Sequence, residues 1–449
     1  MKTLSTPGIL ALSAIICLIL PTAAWLAAAR PTAVDFCPPL PPPTGDTVTV
    51  DTVESLQSAV NGAVPGQTIL VADGIYDLDG AYLRFDVPGV TLRSVSGDRR
   101  AVVLDGNYAT TEIVQIVASE VTIADITLRE AYYHPIHVTS TAGADTIGTR
   151  IYNVHIVDPG QQAIKINPYT GEGADAFPDR GLIACSHVEL TDAGRSHIRD
   201  SCYTGGIDAH QARGWTIRDN LIEGFWCNSG LSEHAIHLWR ACRDPLIERN
   251  VLRNNARGIG LGLATSGPAR TYADDPCPSA VGYVDHYGGI VRNNVVFAND
   301  AVLLDSSFGF DCGICLWNAC GAQVLHNTVA STEAPFSSIE WRFDNTAVTL
   351  VNNLVTHTLM DRGGTAVRAG NVENASFSLF VDGSDGDLHL VGSAHGAIDE
   401  GVAVEAGLCD ADVDGDFRPY GPAPDAGADE YVEPPDLMPW LYLPLIVRD

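Results

Sequence analysis

Lysine is almost missing from this chain, which has only Lys2 and Lys165. Charged residues of every kind make up 18% of the sequence, against 46% hydrophobic. So little charge excludes the disordered class, and the chain reads as packed and ordered. Positive charge is short as well, since the formal net charge is -29. Unaided attraction to nucleic acid is therefore not expected. No nucleotide-cradling Gly-rich loop, zincin helix or nucleophile elbow occurs. Gly258 to Gly262 (GIGLG) has the look of a dinucleotide loop, but no helix follows it and it sits inside a repeat. No nucleotide is expected.

Glycine is abundant, at 43 residues, which fits an architecture of many tight turns. Between Gly205 and Gly262 one unit occurs three times, a small residue plus Ile (Gly206-Ile207, Ala235-Ile236, Gly258-Ile259). An Asn before an apolar pair separates the copies, and that signal recurs at Asn153, Asn220, Asn250, Asn294, Asn327 and Asn353. Most of these lie about 26 to 44 residues apart, the range of solenoid coils with insertions. Short strands are expected at Val90 to Leu92, Ala101 to Leu104, Ile113 to Val117, Val121 to Ile123 and Ile126 to Leu128. None has a crossover helix after it, so stacked copies must bury them. An Asn at one point of every coil tolerates a left-handed backbone and bonds to the Asn of the next coil. These features predict an all-β, single-stranded right-handed parallel β-helix. Thr52 to Val60 is expected to be a short capping helix.

Lys2 followed by the apolar run Ile9 to Leu20 and by Ala27-Ala28-Ala29 predicts a signal peptide over 1–29, with an uncleaved anchor as the alternative. Export would leave ten of the cysteines, an even number that suggests disulfides. Cys312 and Cys315 have Cys-x-x-Cys spacing without the second half of a zinc site, so a structural disulfide or buried thiol is expected. A proline-rich linker is expected over 30–47, the β-helix over 48–408, and an acidic closing coil with a C-terminal tail over 409–449. Trp440, Tyr442 and Leu443 mark that tail as a sorting or cell-envelope docking segment, too short to span a bilayer.

The stretch LQSAVNGAVPGQTILVADGIYDL (Leu56 to Leu78), with GVTLRS and VVLDG after it, resembles the opening segment of secreted β-helix proteins, including chondroitinase B-like and alginate lyases. That resemblance implies the same fold and an extracellular, monomeric protein that meets polysaccharide. The Lys and Arg motifs of those lyases have no counterpart here, so their catalytic pair is not carried over. DADVDGDFRPYGPAPDAGADE (Asp410 to Glu430) resembles the closing coil of surface-anchored β-helix proteins. Asp410, Asp412, Asp414 and Asp416 are spaced like calcium-loop ligands, although Gly421 stands where an EF-hand has its Glu. Calcium is the candidate cofactor; a solvated turn is the alternative.

Aligning the small-aliphatic pairs gives a column facing away from the core: His137, Lys165, Asp208, His237, Gly260, Cys315, Glu340. LWNAC after Ile314 copies LWRAC after Ile236 and supports that register. A second column two residues on reads Thr139, Asn167, His210, Trp239, Gly262, Trp317, Arg342. Coils stack about 4.8 Å apart, which makes Lys165, Asp208 and His237 neighbours with His210 beside them. Such a patch supplies a cation for a uronate carboxylate, a base and an acid, the needs of a lyase. Glu340 and Arg342 extend the set, Asn167, Trp239 and Trp317 are the expected sugar contacts, and the Gly260/Gly262 coil is expected to be an open shelf. Asp208 and Glu340 lie roughly 19 Å apart in this register, far beyond the about 5 to 9.5 Å of a glycosidase pair. A lyase reading therefore leads, with a non-catalytic adhesive or binding surface and a glycoside hydrolase as alternatives.

Overall fold

The computed structural model describes residues 36–433; the expected signal peptide and the tail beyond 433 lie outside them. Three long sheets, each built only from parallel neighbours, run through the coils: the first from Thr47–Val50 to Thr365–Ala369, the second from Leu83–Phe85 to Leu359–Arg362 and the third from Gly74–Asp77 to Leu354–Val355. Successive strands go to the next sheet in turn, so each coil contributes one short strand to each side. This is a right-handed parallel β-helix. The five short strands expected near the start occur as Thr91–Ser94, Val102–Asp105, Glu112–Ile116, Thr122–Ala124 and Thr127–Arg129.

One continuous core fills the coils from Val50 to Leu359. Ile136, Ile164, Ile207, Ile236, Ile259, Ile314 and Ile339 stack within it, all fully buried. The open first coil is covered by the expected helix, Val53–Asn61, whose Leu56 and Val60 face the core. Thr52 and Ser55 cap it reciprocally, Ser55 N–H donating to Thr52 Oγ1 at 3.1 Å and Thr52 N–H to Ser55 Oγ at 3.0 Å.

The asparagine ladder is present, with two corrections. Asn220, Asn250, Asn294, Asn327 and Asn353 each pass a side-chain N–H to the next Oδ1, at 2.8 to 3.0 Å, and Asn371 is the last acceptor. Asn153 is not a rung; it bonds Asp125 Oδ1 at 2.8 Å. The left-handed backbone belongs to the residue before each rung, as at Asp219, Arg249, Asn293, His326 and Asn352 (φ 51 to 58°). That residue turns the corner, and the rung after it ties neighbouring corners together. Asn153 (φ 50°) is a corner residue.

The coils end sooner than the expected boundary at residue 408. The last coil strand is Thr365–Ala369, and the chain beyond it folds back along the third sheet. A separate small core of Phe297, Leu354, Phe380, Leu388 and Leu390 holds it there. Arg418 gathers the final loop, bonding Glu430 Oε2 at 2.9 Å and the Ala428 carbonyl at 2.7 Å. At the other end, residues 36–46 are strapped down rather than free, by the Cys37–Cys185 disulfide and by Tyr152 Oη donating to the Pro38 carbonyl at 2.6 Å. Cys202–Cys227, Cys277–Cys320 and Cys312–Cys315 are also bonded, while Cys242 and Cys409 are buried thiols.

His326 links the returning segment to the coils, through the Asp425 carbonyl at 3.1 Å and Asn352 Nδ2 at 2.8 Å. Burial first, and the Arg418 charge second, push its pKa from 6.5 down to about 3. The unfolded imidazole takes up a proton that the folded one refuses, so this contribution is present above pH 6.5 and lost as pH falls towards 3. His134 and His286, both pushed by burial to about 4, act in the same direction. The urea midpoint is expected to drop between about pH 7.5 and about pH 5, and His326→Gln is expected to reduce that drop.

Candidate functional site

The site is built on the second sheet, from Gln162–Asn167, Gly205–His210 and Ile236–Trp239. Alternation buries Ile164, Ile207 and Ile236 and turns the next residue outward. The register pairs His137 with Lys165, Lys165 with Asp208, Asp208 with His237, His237 with Gly260, Gly260 with Cys315 and Cys315 with Glu340. Thr139 pairs with Asn167, His210 with Trp239 and Trp317 with Arg342. The first column is thus one continuous line of neighbours.

Facing outward is not the same as being open. Lys165 is 5% exposed, Asp208 1% and His237 0%. The segment leading to Gly205 lays Tyr203 across Lys165, Oη 3.1 Å from Nζ, and Cys202–Cys227 fastens that segment to the next insertion. Lys165 Nζ also bonds Asp208 Oδ2 and lies 3.4 Å from His210 Nε2. Asp208 completes its shell with Trp239 Nε1–H at 2.8 Å and His210 Nε2 at 3.3 Å. Burial opposes the Asp208 charge, but Lys165 and then His210 outweigh it and hold the carboxyl well below its usual range. Burial likewise pushes Lys165 down, and Asp208 more than reverses it. Burial lowers the His210 pKa against Asp208's pull, and burial followed by the Asp208 charge raises the Tyr203 phenol. Near neutral pH the group holds an ammonium, a carboxylate, a neutral imidazole and a protonated phenol.

Below Lys165 the face is half-open. Arg84 bonds Gln115, Gln115 bonds Glu112 Oε2 at 3.1 Å, and Glu112 Oε1 meets His137 Nδ1 at 2.7 Å. Burial raises the Glu112 pKa and the His137 bond more than offsets it, so its carboxyl is held below the usual range. Half-buried Arg84, Gln115, His137, Thr139 and Asn167 form a polar strip that leads up to Tyr203 and His210.

Above Asp208 the structure corrects the expected shelf. His234 occupies it, for a Cβ on Gly260 would come within 2.6 to 2.7 Å of the His234 ring. Trp239 is 8% exposed and stacks on His237 with centroids 5.2 Å apart. Trp317, 4% exposed, turns its face from solvent with His234 against it at 5.6 Å. Neither indole is free to stack on a sugar. His237 passes Nε2–H to the Gly262 carbonyl at 3.3 Å and turns Nδ1 to Glu233, away from that strip. Glu340 is fully buried, saturated by Trp317 Nε1, Ser337 Oγ at 2.8 Å and Arg362 Nη1 at 2.6 Å, so it anchors the upper coils. Arg342 lies over Phe343 at 4.4 Å, far from Lys165 in the same stack.

Tyr203, Glu112 and Gln115 escape sequence reasoning. Tyr203 belongs to an insertion with no period, although its place beside Cys202 and Gly205 is a signal that it covers the neighbouring coil. A cleft of about 580 Å³ between Arg195, Trp226 and Asp300 holds no residue of either column. In the acidic loop, Asp412 Oδ1 accepts from the N–H groups of Asp414 and Asp416 at 2.9 and 2.8 Å, and Oδ2 from Glu430 N–H at 2.9 Å. Asp410 accepts from Gly407 N–H at 2.8 Å, Asp414 meets His389 Nε2 at 3.0 Å, and Asp416 is half-buried.

No family model and no curated protein matches the chain. Among solved structures it is similar to pectate lyase Pel9A, at 16% identity and a TM-score of 0.53 over 83% of this chain and 90% of that one. An alginate lyase from Paenibacillus sp. str. FPU-7 matches at 13% identity and a TM-score of 0.49, over 73% of this chain and 99% of that one. The polygalacturonase of Erwinia carotovora ssp. carotovora follows at 11% and 0.43, over 75% and 96%. The chain has the β-helix fold of the pectate lyase.

Proposed function

We propose that this is an extracellular protein that acts on a uronate-containing polysaccharide by β-elimination, with the chain lying in a groove along the polar strip from Arg84 to His210. The observation that carries the reading is Lys165 held between Asp208, Tyr203 and His210 at the end of that groove. The step uses the tautomer with the proton on Nε2, facing Asp208 Oδ2 at 3.3 Å, and Nδ1 is then the basic nitrogen. Nδ1 takes the C5 proton, and the electron pair forms the C4–C5 double bond. The C4–O bond breaks, and the leaving oxygen takes the Tyr203 phenolic proton. Lys165 offsets the uronate charge, Asp208 steadies the imidazolium, and Asn167 contacts the sugar. The four disulfides among the described residues suit an oxidising compartment, and the similar pectate lyase shares the fold.

The test is incubation with a panel of uronate polysaccharides, with and without calcium, following the ultraviolet absorbance of the unsaturated product. Wild type is expected to give a rise that His210→Ala and Tyr203→Phe lose by about 10²- to 10⁴-fold. Reducing ends without that absorbance mean hydrolysis. Neither signal means a binding or adhesive role, which the mutual satisfaction of Lys165 and Asp208 would then serve as structure. Calcium dependence of the rise would implicate the loop of Asp410, Asp412, Asp414 and Asp416.

A further inference from the structure

Three side chains at and just before the strand Ile236–Trp239 have polar atoms that the fold leaves unused. His234 is fully buried, and neither ring nitrogen has a hydrogen-bond partner among the described residues. His237, also fully buried, has an unpartnered Nδ1, and Glu233 has an unpartnered, solvent-shielded Oε2. Glu233 Oε2 lies 3.1 Å from His237 Nδ1, yet the two are not aligned for a hydrogen bond, and 4.0 Å from His234 Nδ1. One ligand atom from each of the three falls within 4.8 Å of the others. Buried polar atoms are nearly always paired, so several orphans converging on one point ask for a shared partner.

We propose that Glu233, His234 and His237 bind a divalent first-row transition ion of the zinc class. A tetrahedral zinc with bonds near 2.0–2.1 Å holds its ligand atoms about 3.3 Å apart, a value inside the range from 3.1 Å to the 4.8 Å limit of this cluster and reached by small side-chain closure. Two imidazoles exclude a hard, oxygen-seeking ion such as calcium. The surroundings already orient the ligands. His237 donates Nε2–H to the Gly262 carbonyl at 3.3 Å, which fixes the tautomer that leaves the Nδ1 lone pair toward Glu233. Trp239 stacks on His237 at an interplanar angle of 6°, and Gly260 leaves the space the His234 ring fills. The ion pins the insertion ending at Glu233 to the sheet. This inference is independent of the polysaccharide reading, since none of its ligands lines the groove.

The full chain, stripped with a chelator and dialysed against zinc, is expected to retain one ion per chain, and cobalt in its place to give the intense visible bands of a four-coordinate site. Glu233→Gln and His234→Gln are each expected to weaken zinc binding by more than about tenfold, the least that loss of an outer-sphere partner costs. His187→Gln is the control, because His155, His187 and Glu189 form another metal-sized group, on the half-exposed third sheet. It is expected to change nothing. Retention of no ion overturns the proposal, as do wild-type affinity in Glu233→Gln, loss of binding in His187→Gln, or displacement by calcium. Glu233→Gln decides the matter if His234→Gln fails to fold, because the Glu233 side chain reaches solvent at 18% exposure.

Discussion

Replacing Lys165 with Met is expected to destabilise the protein by about 3–5 kcal/mol, the usual cost of stranding one partner of a buried ion pair. Asp208 would keep its bonds to Trp239 and His210 but lose the ammonium that holds it ionised. Adding Asp208→Leu removes the stranded charge, so the double variant is expected to recover part of the loss while remaining inactive. Urea unfolding of the two single variants and the double variant checks the stability, and the ultraviolet assay the activity. A double variant no more stable than Lys165→Met would mean that the pair is not what the coils rest on. Recovery of activity along with stability would mean that Lys165 and Asp208 serve the fold alone.

Asn294→Ala is expected to cost a similar amount, about 3–5 kcal/mol, from two or three orphaned groups at about 1–3 kcal/mol each. Its amide bonds the Ile247 and Arg292 carbonyls at 3.0 Å and Asn327 Oδ1 at 2.9 Å. Its oxygen accepts from Asn250 N–H at 3.0 Å and Asn250 Nδ2 at 2.9 Å. Every one of these lies where water cannot replace it, because Asn294 is fully buried. Asn371 ends the ladder half-buried, so Asn371→Ala is expected to cost less than half as much. Urea midpoints of the two variants give the comparison, and equal costs would deny that the rungs act through burial.

The β-helix was legible because its signals repeat. Ile207, Ile236 and Ile259 recur with one neighbour type before them, and alternation then places Lys165, Asp208 and His237 in one line. The corner residues were not legible, since Asp219, Arg249 and His326 share a backbone conformation and no side-chain chemistry. The covers were hidden for a related reason. Alternation says which way Trp239, Trp317 and Glu340 point, but their burial depends on insertions that occur once each. Tyr203 and His234 lie in such insertions, and they decide which half of the face is open.

The Cys37–Cys185 disulfide alters how load would travel through the molecule. A solenoid pulled from its ends unzips coil by coil, because each coil is held chiefly by its neighbours. Here tension arriving at Cys37 passes across the bond to Cys185 and skips the intervening coils, whose residues span a sequence separation of 148. Under oxidising conditions the first turns are mechanically short-circuited, and peeling from that end begins beyond Cys185. A reductant would return those turns to the loaded path, lengthening the extension before rupture by the length of chain now held in parallel.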